Sequence, residues 1–341
     1  MTDWLPPGLF DYGAELAAEA DRRLGAGVVG DAACWIDMPR RLKLADVVSE
    51  PVRWGNGALC VDLGPDDGET WERFAEVHQG ESDTEAVAAS AQEWRLPVTP
   101  YRRMSEAAVV TAAPESNCEP MDPASFDGEV LDGKQIVDLT SMWAGPLCTE
   151  LLGRAGAEVR KVSSTARPDG LAGTVMYAEL NAHKTAVELD PRFGAGRDAL
   201  ERLLATADLL VTSLSPRALA NLELLPEQLC VRHPRLHTLA VTAFEPDSPE
   251  CDWIAYGTGV HAAAGLGWMG DEPQAPAYSY PDPLAGLRAA RVAVDQLAGV
   301  AHQHRRVSMA GVVAPLVGSM ACSSGDGTPT SAAGSGGDRH G

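Results

Sequence analysis

Nowhere along these 341 residues does an apolar run approach the ~18 residues of a membrane-spanning helix. The opening MTDWLPPGLFDYG has neither the basic start nor the apolar core of a secretory signal. Both absences set the expectation of a soluble, cytoplasmic protein. Positive charge is scarce: 27 Lys and Arg stand against 48 Asp and Glu, a formal net charge of −21. Affinity for nucleic acid comes from clustered Lys and Arg, so a nucleic-acid surface is not expected. Cys34, Cys60, Cys118, Cys148, Cys230, Cys251 and Cys322 are dispersed, with no C-x-x-C pair. Such a set fits reduced thiols better than a disulfide frame or a zinc site. His302-x-His304 has no third ligand nearby, so no metal is expected. G-x-S-x-G, Walker A and H-E-x-x-H strings are also missing.

What is present concentrates between Leu131 and Asp190. Ile136 to Leu139 is a short apolar run that suits a buried strand. Thr140 to Gly145 is a turn of mostly small residues, and Pro146 suits the first position of a helix. Leu147, Leu151 and Leu152 share a helical face, Gly156 can end that helix, and Val159 to Val162 suits a second strand. A turn of this kind brings backbone N–H groups to a helix N-terminus, where anions are stabilised.

The rest of the chain is read in order. Residues 1–115 hold an expected helix at Leu16–Leu24, a strand at Ala58–Leu63, and helices at Thr70–Val77 and Thr84–Trp94, the last capped by Asp83. Gly25 to Gly30 satisfies G-x-G-x-x-G, but it follows a charged helical segment instead of a strand, so it reads as a turn. Residues 116–130, overlapping the aperiodic stretch Thr111–Gly128, read as a linker. Further on, helices are expected at Gly194–Thr206, after Ser215-Pro216, and at Pro226–Val231. Strands are expected at Leu209–Thr212 and Leu236–Phe244. Ala262–Tyr280 reads as loop, Leu284–His304 as helix, and Arg305–Val317 as a strand running into a helix. Residues 318–341 are low in complexity and read as a disordered tail. Strands alternating with helices predict an α/β fold, a Rossmann-like, mainly parallel sheet covered by helices on both faces.

Three of these stretches are more specific than their pattern. DLTSMWAGPLCTELLGRAGAEVRKV resembles the opening of the family III CoA-transferases of CaiB/BaiF type, which include formyl-CoA transferase, carnitine CoA-transferase and α-methylacyl-CoA racemase. LNAHKTAVELD resembles a second element of that family, and ATADLLVTSLSPRALANLELL a third. The resemblance spans residues 131–317. Within 1–115, GALCVDLGPDDGETWERFAEV is similar to the late part of the family's chains, here placed ahead of the opening motif. That order implies a permuted, truncated or fused arrangement.

The resemblance implies site residues. Asp282, in SYPDPLAG, falls at the family's catalytic aspartate; the reading from spacing alone is a helix cap. Ser141, Met142, Trp143 and Ala144 fall in the turn that receives CoA, with Lys161, Asn181 and Lys184 as further CoA contacts and Lys184 as a phosphate partner. Trp143 is an equal candidate for a core indole. Tyr256 occupies the position of the racemases' base, and His261 lies five residues on without an assigned role. Several family cations are replaced: Ser163 and Ser164 stand where Glu-Arg is usual and Asn221 where Arg is usual, with Arg160 and Arg167 near enough in sequence to substitute. The family's glycine-rich loop over the intermediate has no counterpart here. The resemblance therefore implies a CoA-transferase that passes CoA from an acyl-CoA to a carboxylic acid through an aspartyl intermediate, with CoA as substrate, no permanently bound cofactor, and a homodimer. A racemase and a non-catalytic CoA-binding remnant are the alternatives.

Overall fold

The computed structural model describes residues 4–44, 48–64, 66–107, 128–164, 166–299 and 303–324. Three helices open the chain: α1 (Leu9–Leu24), α2 (Ala32–Ile36) and α3 (Met38–Arg41). α1 buries Leu9, Leu16, Ala17, Ala20 and Leu24, the spacing of one helical face. The turn after it needs its glycines, since Gly25, Gly27 and Gly30 have φ of 108°, 81° and 71°. The G-x-G-x-x-G string thus joins two helices. A small antiparallel sheet follows, β1 (Val52–Trp54), β2 (Gly57–Val61) and β3 (Val98–Pro100), with α4 (Gly68–His78) and α5 (Thr84–Glu93) inserted between the last two strands. Leu59, Phe74, Val87, Leu96 and Val98 form its own apolar centre. Asp83 caps α5 by accepting from the N–H groups of Glu85 and Ala86.

The second half is doubly wound. In chain order it runs β4 (Gln135–Leu139), α6 (Ala144–Arg154), β5 (Glu158–Ser163), α7 (Val175–Glu179), β6 (Lys184–Glu188), α8 (Gly194–Leu204), β7 (Leu209–Thr212), α9 (Pro216–Asn221), α10 (Pro226–Arg232) and β8 (His237–Thr242). It continues with α11 (Gly257–Ala263), a hairpin of β9 (Trp268–Met269) and β10 (Glu272–Pro273), α12 (Pro281–Leu297), β11 (His304–Ser308) and α13 (Met309–Ser324). Six strands pair in the order β11-β8-β7-β4-β5-β6, all parallel. The chain reverses its direction of travel between β4 and β7, which opens a crevice beyond the carboxyl ends of those two strands. Alternation assigns the faces: Ile136, Leu209 and Val211 point toward α6 and α12, while Val137, Leu139 and Leu210 point toward α8, α9 and α10. The expected α/β architecture is the observed one.

α12 is the axle of the molecule. It packs against α6, α1 and α13, and thirteen of its residues are buried. Its approach to α6 depends on Gly286, where an added Cβ would lie 2.8 Å from the Ala144 carbonyl oxygen and 3.0 Å from Leu147 Cβ. Gly286→Val is expected to force the two helices apart and lower stability by about 1–3 kcal/mol, read as a shift in the urea midpoint.

Some boundaries moved. α6 starts at Ala144, so Pro146 sits in the first turn but not at its first position. α12 ends at Leu297, short of His304, because Gly299 at φ 74° turns the chain into β11. The expected loop at Ala262–Tyr280 holds the end of α11 and the β9–β10 hairpin. The expected tail begins inside α13, which runs to Ser324, and residues 325–341 lie outside the described residues. The linker through residue 127, Cys118 and His302 also lie outside them. Among the described residues no helix is long and apolar enough to cross a membrane.

Candidate active site

The crevice deepens into a cavity of about 240 Å³. Met142 and Trp143 reach it from the β4–α6 turn, Ser279 and Asp282 from the start of α12, Tyr256 and Thr258 from the start of α11, and Asp62 and Leu63 from the end of β2. The small antiparallel unit and the doubly wound half therefore share one site.

Asp282 is buried at the mouth of α12. It is not the helix cap: Tyr280 holds that position, and no side chain caps the helix. The Asp282 carboxylate instead looks outward from the helix. Its Oδ2 accepts from the Gly257 N–H at 3.1 Å and from the Ser279 hydroxyl at 2.7 Å. Burial pushes its pKa up to about 6, against the pull of those two donors, and the nearby Asp62 charge adds to the rise. The close grip of Gly257 is possible only without a side chain, because a Cβ there would stand 2.2 Å from Oδ2. Gly257→Ala is expected to displace the carboxylate and to reduce any turnover that depends on Asp282 about a hundredfold, with a thermal melt as the fold control.

The turn after β4 is held in place by the chain itself. Met142 has φ 67°, a left-handed conformation costly for a side-chain-bearing residue. Its N–H donates to both carboxylate oxygens of Asp169 at 3.2 Å, and the Ser141 N–H donates to Ser213 Oγ at 3.0 Å. The N–H groups of Ser141 and Met142, expected to face an anion, are thus engaged by Ser213 and Asp169. Ala144 begins α6 and is buried.

The three expected CoA contacts after the turn are also engaged elsewhere. Lys184 Nζ donates to Asp138 Oδ2 at 3.0 Å, to the Pro146 carbonyl at 2.9 Å and to Asn181 Oδ1 at 3.0 Å. Its three ammonium hydrogens are spent and its side chain is 1% exposed, so it does not reach a phosphate in this arrangement. Lys161 Nζ donates to the Thr140 carbonyl at 2.5 Å and lies 3.6 Å from Asp138 Oδ1. Asn181 Nδ2 donates to the Tyr177 carbonyl. Lys161 and Lys184 buttress the turn from beneath through Asp138, and Asn181 holds the Lys184 ammonium in place. Burial alone would raise the Asp138 pKa, but Lys161, Lys184 and the hydroxyls of Thr140 and Thr149 overcome it and hold the carboxyl well below its usual range.

Burial pushes the Arg95 pKa down, the charges of Arg217 and Arg167 add to the fall, and the Asp252 carboxylate opposes it. Arg167 also acts on Tyr256, at the cavity wall. Sequence reading named Arg167 but missed Arg95, which comes from the other half of the chain, and Arg217. Arg160 is bound to Gln135 on the sheet.

Tyr256 lines the cavity, and burial raises its pKa. His261 is fully buried away from it: Nδ1 accepts from the Tyr280 hydroxyl at 3.0 Å and Nε2 donates to the Gln274 carbonyl at 3.1 Å. Burial lowers its pKa to about 4, so it is a neutral packing group.

Comparison with known proteins agrees with this architecture. The pattern of CoA-transferase family III matches residues 131–339, more than half of the chain. The probable CoA-transferase Rv1866 of Mycobacterium tuberculosis is 31% identical over 57% of this chain and 28% of its own length. The formyl-CoA:oxalate CoA-transferase of Escherichia coli O6:H1 is 28% identical over 40% of this chain and 35% of its own. The chain thus spans about a third of the length of these curated relatives. Among solved structures, Rv3272 of M. tuberculosis superposes with a TM-score of 0.52 at 26% identity, over 57% of each chain. A CAIB/BAIF family protein of Brucella suis shares the fold, with a TM-score of 0.51 at 22% identity over 58% of each chain. On the strength of its matched pattern and its doubly wound fold, the chain belongs to family III of the CoA-transferases.

Proposed function

We propose that this chain moves CoA from an acyl-CoA thioester to a carboxylic acid, with Asp282 as the nucleophile. The observation that carries the reading is the cavity that joins the β4–α6 turn to a buried carboxylate at the start of α12. The Asp282 carboxylate attacks the thioester carbonyl, forming a mixed anhydride and expelling CoA thiolate. The thiolate attacks the aspartyl carbonyl of that anhydride, releasing the first acid and leaving an aspartyl-CoA thioester. The acceptor carboxylate attacks this thioester, forming a second mixed anhydride and expelling CoA thiolate, which then attacks the acceptor's acyl carbonyl to give the new acyl-CoA and release the Asp282 carboxylate. The buried setting supports the chemistry in two ways: it strips water from the carboxylate and shields the anhydride from hydrolysis.

The Gly257 N–H and Ser279 hydroxyl hold the nucleophile's Oδ2, leaving Oδ1 for attack. Arg95, Arg167 and Arg217 supply positive charge for the nucleotide phosphates, in place of the family arginines replaced by Ser164 and Asn221. Met142 and Trp143 line the path of the pantetheine arm, and Asp138, Lys161, Asn181 and Lys184 keep the turn in shape. The segment 1–115 acts as the late piece of the family fold placed first, since its Asp62 and Leu63 complete the cavity wall. A homodimer and a cytoplasmic setting complete the proposal, the latter fitting the free Cys60 and Cys148 thiols.

Racemisation is disfavoured: tyrosine at 256 is a weak base, and His261 is neutral and spent on packing. A CoA-binding remnant has one observation in its favour, the occupation of the Met142 N–H by Asp169. The test is exchange of labelled CoA between an acyl-CoA and a free acid. Transfer is the expected result; deuterium entering the α-carbon without exchange marks a racemase, and binding without exchange marks the remnant.

A further inference from the structure

Gln92 stands where an apolar residue would be expected. It shares the buried face of α5 with Val87, Ala88 and Ala91, and it is 6% exposed. An amide in such a place costs free energy unless its polar atoms are paired. They are paired with two distant parts of the chain. Nε2 donates to the Val98 carbonyl on β3 at 2.9 Å and to the Ile254 carbonyl at 2.9 Å, and Oε1 accepts from the Ile254 N–H at 2.7 Å. The amide thus binds both backbone groups of one residue, as a neighbouring strand would, 162 positions along the chain.

Ile254 begins the short stretch that leads into α11. Trp253 before it packs against the apolar centres of both halves. Tyr256 is extended, at φ −97° and ψ 178°, and Gly257 follows, donating its N–H to Asp282 Oδ2 at 3.1 Å. Beyond Gly257 a second side chain of the small unit takes hold. Thr99 Oγ1, on β3, donates to the Gly259 carbonyl at 3.0 Å, and Thr99 is 1% exposed. Gly257 is therefore held on either side by the antiparallel unit.

We propose that Gln92 is a positioning residue for the nucleophile: by fixing Ile254, while Thr99 fixes Gly259, it keeps the Gly257 N–H against the Asp282 carboxylate. The small antiparallel unit then governs the reactivity of a group that belongs to the doubly wound half. The inference rests on the reading of Asp282 as nucleophile. A hydrogen bond to the ionised form favours that form, so a Gly257 N–H that drifts away leaves Asp282 harder to ionise. The other groups acting around this carboxyl are the Ser279 hydroxyl, Asp62 and Tyr256. The Gln92 amide is spent on Val98 and Ile254, so its loss leaves their bonds in place.

Gln92→Met keeps the length of the side chain and removes all three bonds. In the full-length chain it is expected to lower exchange near pH ~6 about tenfold, with KM for the acyl-CoA changed less than about twofold. The rising limb of the pH profile is expected to move up from about 6 by about half a unit to one unit. A second readout needs no catalysis. Asp282→Asn removes the charge that burial penalises, and its stabilisation at pH ~8 is expected to grow about three- to tenfold, as an unfolding equilibrium constant, when Gln92→Met is present. Asp83→Ala is the control: it removes the cap at the far end of α5, and is expected to lower stability while leaving the limb and the coupling unchanged. Thr99→Val is expected to shift both readouts in the same direction as Gln92→Met, and decides the matter if that variant does not fold. A variant that is less stable but keeps the wild-type limb and coupling overturns the inference, as does a change confined to KM. Coupling without any exchange upholds the positioning and defeats the transferase reading; exchange without coupling does the reverse.

Discussion

Asp282→Asn is expected to reduce CoA exchange at least about a thousandfold while making the protein more stable at neutral pH. The loss follows because an amide does not attack a thioester. The gain follows from the sign of the shift. The carboxyl's pKa rises from its ordinary value near ~4 in the unfolded chain to about 6 when buried, so the fold prefers the protonated form. That preference contributes stability in full below pH ~4 and is lost as pH rises through about 6, so at pH 8 the ionised Asp282 strains the fold. Asparagine stays neutral and still offers an oxygen to the Gly257 N–H and the Ser279 hydroxyl. The difference is of the order of 2–3 kcal/mol at pH 8 and disappears near pH 4, read as converging urea midpoints. The same titration predicts that exchange in the wild-type chain rises through about pH 6, as the nucleophile ionises.

Asp138→Ala should be the most destabilising single change in the turn. The carboxylate is 0% exposed and faces Lys161 and Lys184, whose side chains are 4% and 1% exposed. Removing it leaves two cations buried without their counter-charge, a loss of about 3–5 kcal/mol for breaking a buried ion pair. The turn should fail with it, because the Thr140 N–H and the hydroxyls of Thr140 and Thr149 also donate to this carboxylate. A urea melt that moves by less than ~1 kcal/mol would assign the turn's rigidity elsewhere. Since the carboxyl is held well below its usual range, the ion pair's contribution persists at neutral pH. It is lost only as strong acid takes the pH down through the folded value.

These residues also mark what was legible beforehand. Leu209–Thr212 is read at its observed limits because a strand buried on both faces is a short unbroken run of suitable residues, and all four are buried. Asp83 and Ser215 announce helix starts through local chemistry that involves only the next three residues. Lys184 misled for the opposite reason. Its partner Asp138 is 46 residues away, so nothing local separates a phosphate-seeking lysine from one already paired. Asp282 was found only through resemblance, since Pro-Asp-Pro by itself reads as a helix start. Asp62 was missed, although alternation after the strand places it on the same face as Cys60, which is buried. Its significance needed the other half of the chain, which closes the cavity over it.

The central claim is that Asp282 becomes covalently acylated at its own carboxyl. The direct measurement is to mix the full chain with an acyl-CoA and hydroxylamine and to map the product by peptide mass spectrometry. A hydroxamate on the peptide carrying Asp282, formed only when acyl-CoA is present, is the predicted result. Exchange that proceeds while this peptide stays unmodified, or a hydroxamate on a different carboxylate such as Asp62, contradicts the account.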